Sequence, residues 1–185
     1  MATGLADGRP TTIALDCMGS DLGPEEAVDA AARLSIDRPD MHLVLVGDLA
    51  LLSPLLEARQ YDPARLSVRH TEQWIAMDDS PREALLGKPE ASILVACGLV
   101  AEGRADAVVT AGNTGGAIFA AARRLGRIPG VRRAALAAVT PTERTHGPND
   151  DPFALLLDVG ATLSATARDL VTFAVMGSAY AQAIS

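Results

Sequence analysis

A chain of 185 residues that is 49% hydrophobic but only 3% aromatic is long enough to bury a domain-sized core, and must build it from Ala, Val, Leu and Ile. Its formal net charge of -7 excludes the broad basic surface with which nucleic-acid binders displace counterions. No run approaches the roughly 18 consecutive apolar residues of a membrane-spanning helix, and residues 1–11 lack the layout of a signal peptide. Cys17 and Cys97 form neither a CxxC pair nor a disulfide framework, which fits a reducing cytoplasm.

After an arm of residues 1–11, apolar runs suited to buried parallel strands alternate with stretches of helical period. Thr12–Asp16 reads as a strand. Pro24, followed by Glu25 and Glu26, opens a helix to about Ile36. A strand over His42–Val46, a helix opened by Asp48 and a strand over Leu66–His70 follow. Ser80-Pro81-Arg82-Glu83 combines a capping box with proline at the first helical position. A further helix is expected over Glu90–Glu102 with Gly103 as its stop, then a strand over Ala105–Thr110 and a helix over Gly115–Leu125. Ala134–Val139 and Phe153–Leu157 read as strands, and Thr140–Pro152, with three prolines and mixed charge, as an exposed loop between them. From about Thr166 to Ser185 the chain reads as helix. Right-handed crossovers then predict an α/β fold, a three-layer α/β/α sandwich with a mostly parallel sheet. Because the chain stops after a helix, that sheet is expected to be incomplete.

Three glycine-bearing loops each follow an apolar run: Asp16-Cys17-Met18-Gly19-Ser20-Asp21, Thr110-Ala111-Gly112-Asn113-Thr114-Gly115-Gly116 and Asp158-Val159-Gly160-Ala161-Thr162. Ligands of open α/β sheets bind where such loops converge, so one shared site for a small anion is expected. In the second loop, backbone N–H groups at a helix start favour an anion, with Asn113 and Thr114 as further donors. A plain turn capped by Asn113 or Thr114 is the other reading. Asp16 and Asp158 either work on a ligand or bond to their own turns. Neither a GxGxxG nor a P-loop pattern occurs, and no spacing suits a metal, so no cofactor is expected.

Lys88 is the one lysine among sixteen basic residues, either a chance of composition or a compact cation kept for a purpose. Arg123, Arg124, Arg127, Arg132 and Arg133 concentrate positive charge in an acidic protein, to steer an acidic partner or to answer a helix end. Cys97 reads as a core residue, and Cys17 as a core residue or a thiolate beside a turn.

Asp16–Asp21 with Gly23-Pro24, Val46-Gly47-Asp48, Met77-Asp78-Asp79-Ser80-Pro81, Thr110–Gly116, Leu125–Gly130, Leu156–Ala161 and Phe173–Ser178 follow one another in a characteristic order. In this the chain resembles, from Thr12 to its end, the bacterial phosphate acyltransferases of phospholipid synthesis, the PlsX family. The resemblance implies a fold similar to the isocitrate and isopropylmalate dehydrogenases. It also implies transfer of a fatty acyl group from acyl carrier protein to inorganic phosphate, by a cytoplasmic homodimer that contacts the membrane surface. Joined to the residue reading, it assigns catalysis to Asn113, Lys88 and Asp158. Phosphate or substrate falls to Asp16, Gly19, Ser20, Asp21, Gly112, Thr114, Gly115, Gly116 and Gly160, and carrier-protein docking to the five arginines. Cys17 and Ser20 stand where the family commonly has Ala and Gly, and Thr162 where it has Asn. Family members are nearly twice as long. A non-catalytic fragment that binds phosphate, carrier protein or a partner chain is therefore the alternative, while a nicotinamide-dependent dehydrogenase is disfavoured by the absent GxGxxG.

Overall fold

The computed structural model describes residues 8–146, 151–162 and 164–184, which fall into two compact units, one up to Gly126 and one from Arg127. The first unit runs β1 (Thr11–Asp16), α1 (Glu25–Asp37), β2 (Met41–Gly47), α2 (Leu49–Glu57), β3 (Leu66–His70), α3 (Pro81–Gly87), α4 (Ser92–Ala101), β4 (Ala107–Thr110) and α5 (Thr114–Arg124). Its strands form a parallel sheet in the order β3-β2-β1-β4.

Successive strand residues point to opposite faces, and β2 shows how both are covered. Leu43 and Leu45 pack with Val28 and Ala31 of α1 and with Leu52 and Leu56 of α2, while Val46 packs with Ala96 and Leu99 of α4. Helix α4 is buried nearly all round because α3 and α5 lie on its outer side: Leu94 and Cys97 share a cluster with Leu85 and Ala120. The expected three-layer α/β/α arrangement is thus present in this unit.

Helix ends follow local chemistry. Glu25 and Glu26 occupy the first turn of α1, where the positive pole favours them. The Asp48 carboxylate accepts from the Ala50 N–H and caps α2, and Gly103, at φ 69°, ends α4. Two expectations need correction. Ser80 stands at the N-cap of α3 and Pro81 inside its first turn, but the Ser80 side chain makes no capping bond. Helix α4 starts at Ser92 rather than Glu90, because the Glu90 carbonyl accepts from the Thr71 hydroxyl and the Ser92 N–H is drawn to the Gln73 carbonyl.

The second unit contains β5 (Ala137–His146), β6 (Asp151–Leu157) and α6 (Ala167–Ile184). The expected loop over Thr140–Pro152 is largely strand: β5 and β6 pair antiparallel from Ala137↔Leu157 to Pro141↔Phe153, with an irregularity between Pro141 and His146. A two-stranded sheet leaves each strand an unpaired edge, where proline's missing N–H does no harm. Residues 147–150 lie outside the described residues. At the start of α6, Thr166 and Asp169 cap reciprocally. The Asp169 N–H donates to the Thr166 hydroxyl and the Thr166 N–H to the Asp169 carboxylate, a capping box unread in Thr166-Ala167-Arg168-Asp169.

The turn after β1 depends on one glycine. Gly19 has φ 78°, and a Cβ placed there would lie 2.1 Å from the Ile75 carbonyl oxygen. We expect Gly19→Ala to lower stability by about 2 kcal/mol or more through strain and displacement of residues 74–76, read as a lower urea midpoint. An unchanged midpoint would show that this turn does not need the close approach.

Candidate active site

The parallel register places Asp16, Val46 and Thr110 level with one another, with Gly47 beside His70. These residues mark the carboxyl edge of the sheet, where ligands of such folds bind. Asp16 is 5% exposed and its carboxylate is fully engaged. It accepts from the Met18 N–H at 3.2 Å and the Thr110 hydroxyl at 2.9 Å, and also from the Ser92 side chain. Burial raises its pKa despite these bonds. Thr110 in turn accepts from the Gly112 N–H at 3.0 Å. One buried carboxylate therefore braces the ends of β1 and β4, the start of α4 and two glycine loops. Cys17 beside it is 2% exposed. Burial, with the Asp16 charge added, pushes its thiol up to about 12, which argues against a thiolate nucleophile at neutral pH.

The loop between β4 and α5 is shaped by Asn113. Its side-chain oxygen accepts from the Gly116 N–H at 3.0 Å, and its amide nitrogen donates to the carbonyls of Ala76, Met77 and Asp79 at 3.1–3.3 Å. The amide expected to offer free donors is therefore committed to the protein, and Asn113 acts as the cap and as a staple to residues 76–79. The Gly115 and Gly116 Cα atoms face Pro81 and Ile75, where a Cβ would meet side-chain carbons at 2.7 and 3.1 Å. Their small size serves packing. The donors left over belong to the backbone: among the described residues nothing accepts from the N–H of Thr114 or Gly115, as expected for the first turn of a helix.

Lys88 reaches the same hub. Its ammonium lies 2.6 Å from the Asp79 carboxylate, which also accepts from the Ala76 N–H at 2.9 Å. The Lys88 hydrogen bond is the main reason the Asp79 carboxyl is held below the usual carboxylate range. Asp79 thus links two residues assigned from sequence, taking Lys88 on its carboxylate and Asn113 on its carbonyl. Asp79 is a site residue that no local signal marks beyond its place in Met77–Pro81, one of the motifs that carry the resemblance.

Beside this hub is a cleft of about 430 Å³, lined by Gly19, Ser20 and Asp21 on one side and by Trp74, Met77 and Asp78 on the other. Ser20 is occupied in its own turn, its hydroxyl donating to the Gly23 carbonyl at 2.7 Å. Asp21 and Asp78 make this cleft unfavourable for a free anion, whereas the start of α5 favours one.

The third glycine loop follows β6, which belongs to the antiparallel pair of the second unit and not, as expected, to the parallel sheet. Asp158 has φ 64°, a left-handed conformation that Asp tolerates, and its carboxylate accepts from the Thr162 N–H at 3.1 Å. Gly160 also has positive φ. In the described contacts Asp158 therefore serves its own turn. The arginines divide in the same way. Arg123 and Arg124 close α5, where Arg123 donates to the Leu85 carbonyl at 3.2 Å, whereas Arg127, Arg132 and Arg133 belong to the second unit. There Arg132 pairs with Asp169 at 3.0 Å. Among the described residues no group of three or more metal-ligating side chains occurs, and no helix is long and apolar enough to cross a membrane.

Fold and site together define a parallel α/β unit with its candidate site on strand-to-helix loops. Comparison with known proteins gives the family. Residues 11–185 match the model of the family described as fatty acid synthesis protein, and the chain belongs to it. Its relatives include the phosphate acyltransferase of Pseudomonas syringae, 42% identical over 171 residues and covering 92% of this chain and 48% of the relative. Those of Ectopseudomonas mendocina and Nitrosococcus oceani are 41% and 38% identical over 174 residues, covering 93% and 94% of this chain and 49% of each relative. The chain spans about half the length of these curated relatives.

The Asp79–Lys88 pair has a pH signature. A carboxylate whose pKa is lowered on folding adds stability above its unfolded pKa and loses it as pH falls through the lowered folded value. Asp79→Asn should therefore flatten stability against pH on the acid side, below about pH 4, in urea titrations across that range. An acid limb of unchanged slope would show that the pair does not form in solution.

Proposed function

We propose that this chain carries the phosphate-handling part of a transferase that moves a fatty acyl group from acyl carrier protein to inorganic phosphate, giving acyl phosphate for phospholipid synthesis. Membership of a family with relatives named phosphate acyltransferase supports acyl transfer to phosphate. The observation that carries the reading here is the start of α5, at the positive end of a helix, where among the described residues nothing accepts from the N–H groups of Thr114 and Gly115.

In this reading phosphate rests on those two N–H groups, with the Thr114 hydroxyl as a further donor, while Lys88, paired with Asp79, steadies the hub that Asn113 ties to the loop. A phosphate oxygen attacks the thioester carbonyl carbon. The new C–O bond forms as the C–S bond breaks, and the sulfur leaves with the electron pair and takes up the proton that the attacking hydrogen phosphate gives up, becoming the carrier thiol. Phosphate is itself the nucleophile, so the buried Cys17 thiol has no part. Asn113 is a positioning residue, because it fixes α5 and residues 76–79 relative to one another. The exposed arginines fit an acidic carrier protein by charge, and cytoplasmic location, homodimerisation and contact with the membrane surface belong to the same proposal.

Asn113→Ala should lower kcat/KM by about 100-fold, the scale of a misplacement of order 1 Å. The assay is acyl phosphate formation from long-chain acyl carrier protein and phosphate. Near-normal turnover in a folded variant would overturn the role of Asn113, and phosphate binding without any acyl phosphate from the unaltered chain would favour the binding-only alternative. Arg124→Glu and Arg127→Glu should slow carrier-protein association by about tenfold at low salt and flatten its salt dependence. Unaltered association in stopped-flow measurements would remove these arginines from the docking surface.

A further inference from the structure

In the second unit, α6 and the β5–β6 pair enclose an apolar groove of about 820 Å³, within the range of about 300–1,000 Å³ usual for small-molecule sites. Leu155 and Leu157 of β6 form one wall and Val171, Val175 and Tyr180 of α6 the other. Val171 and Val175 are each 66% exposed, so the groove is open along the helix. From Val171 to Tyr180 it follows nine residue steps, about 13 Å at about 1.5 Å per residue.

One end of the groove differs in charge from the rest. Ile128 and Val131 line it there, and their neighbours Arg127, Arg132 and Arg133 gather at the first turn of α6. Arg132 and Arg133 share the single carboxylate of Asp169, at 3.0 and 3.7 Å, and Arg127 donates to the Arg132 carbonyl. Three guanidinium groups against one carboxylate leave a net positive charge, at the end of α6 whose dipole is also positive. The groove is cationic at one end and apolar along its length, which complements an extended hydrocarbon with an anionic head.

We propose that this groove binds the long-chain acyl group of acyl phosphate, its phosphate head toward Arg127, Arg132 and Arg133 and its hydrocarbon along α6 toward Tyr180. This site rests on the acyl-transfer reading for the identity of its ligand. Its lining residues belong to the second unit, whereas the start of α5 belongs to the first.

The test is calorimetric titration of the full 1–185 chain with octanoate, decanoate and dodecanoate below their micelle concentrations, as stable stand-ins for the acyl anion. Affinity should rise about fourfold per added methylene, and dodecanoate should bind at least tenfold more tightly than dodecyltrimethylammonium. Val175→Asp, on an exposed position that folding tolerates, should weaken dodecanoate at least tenfold without moving the urea midpoint. Val175→Thr, close in shape, should bind within a few-fold of the unaltered chain. A flat chain-length series, equal binding of the cationic amphiphile, or indifference to Val175→Asp would each overturn the proposal. So would self-association through this face without fatty-anion binding, or capture by phosphatidylglycerol vesicles alone. Because the titration contains neither phosphate nor carrier protein, a chain that binds dodecanoate as described yet makes no acyl phosphate would refute the transferase reading and leave the groove's ligand chemistry standing. The converse result would refute only the groove.

Discussion

The carboxyl edge of the parallel sheet depends on one buried carboxylate. Asp16, at the end of β1, accepts from Met18, Thr110 and Ser92, and a charge removed from water this way persists only when its acceptor sites are filled. Satisfying it fixes three elements at once. Thr110 relays the constraint to Gly112, and the Gly112 Cα then lies where a Cβ would come within 3.1 Å of the Met18 carbonyl. The two glycine loops are packed against each other as a consequence of how one aspartate is satisfied. Function, in this view, is borne by what the scaffold leaves unsatisfied, the first N–H groups of α5.

Local signals made much of the first unit readable. Strands over residues 12–16, 42–46 and 66–70 appear within a residue of their observed bounds, because buried parallel strands are short apolar runs with polar ends. Asp48 and Gly103 mark helix ends by chemistry that acts over a few residues. Thr140–Pro152 failed for the complementary reason. Its prolines and polar residues are loop-like by local preference, yet in a two-stranded hairpin each strand has a free edge that accommodates them. Pairing across the hairpin overrides composition, and nothing in the local pattern records the partner.

The candidate site was legible in location more than in roles. Asn113, Lys88 and the second glycine loop do come together, but through Asp79, whose place as their link is set by contacts 34 and 9 residues apart in sequence. Glycines 115 and 116 signalled a close approach, and the structure shows that what approaches is Pro81 and Ile75. Asp158 carried the same local signature as Asp16, an acidic residue between an apolar run and a glycine. One is buried on a parallel sheet edge and the other caps its own turn in an antiparallel unit, a difference decided by strand pairing.

Phosphate chemistry on this chain requires that the start of α5 receive an anion. Backbone amide chemical shifts followed during titration with inorganic phosphate test this residue by residue. Saturable shifts centred on Thr114 and Gly115 are predicted. Gly112 and Gly116, with N–H groups already held by Thr110 and Asn113, should move far less. Shifts centred on Arg123 and Arg124 at the other end of the helix, or no response at Thr114 and Gly115, would contradict it.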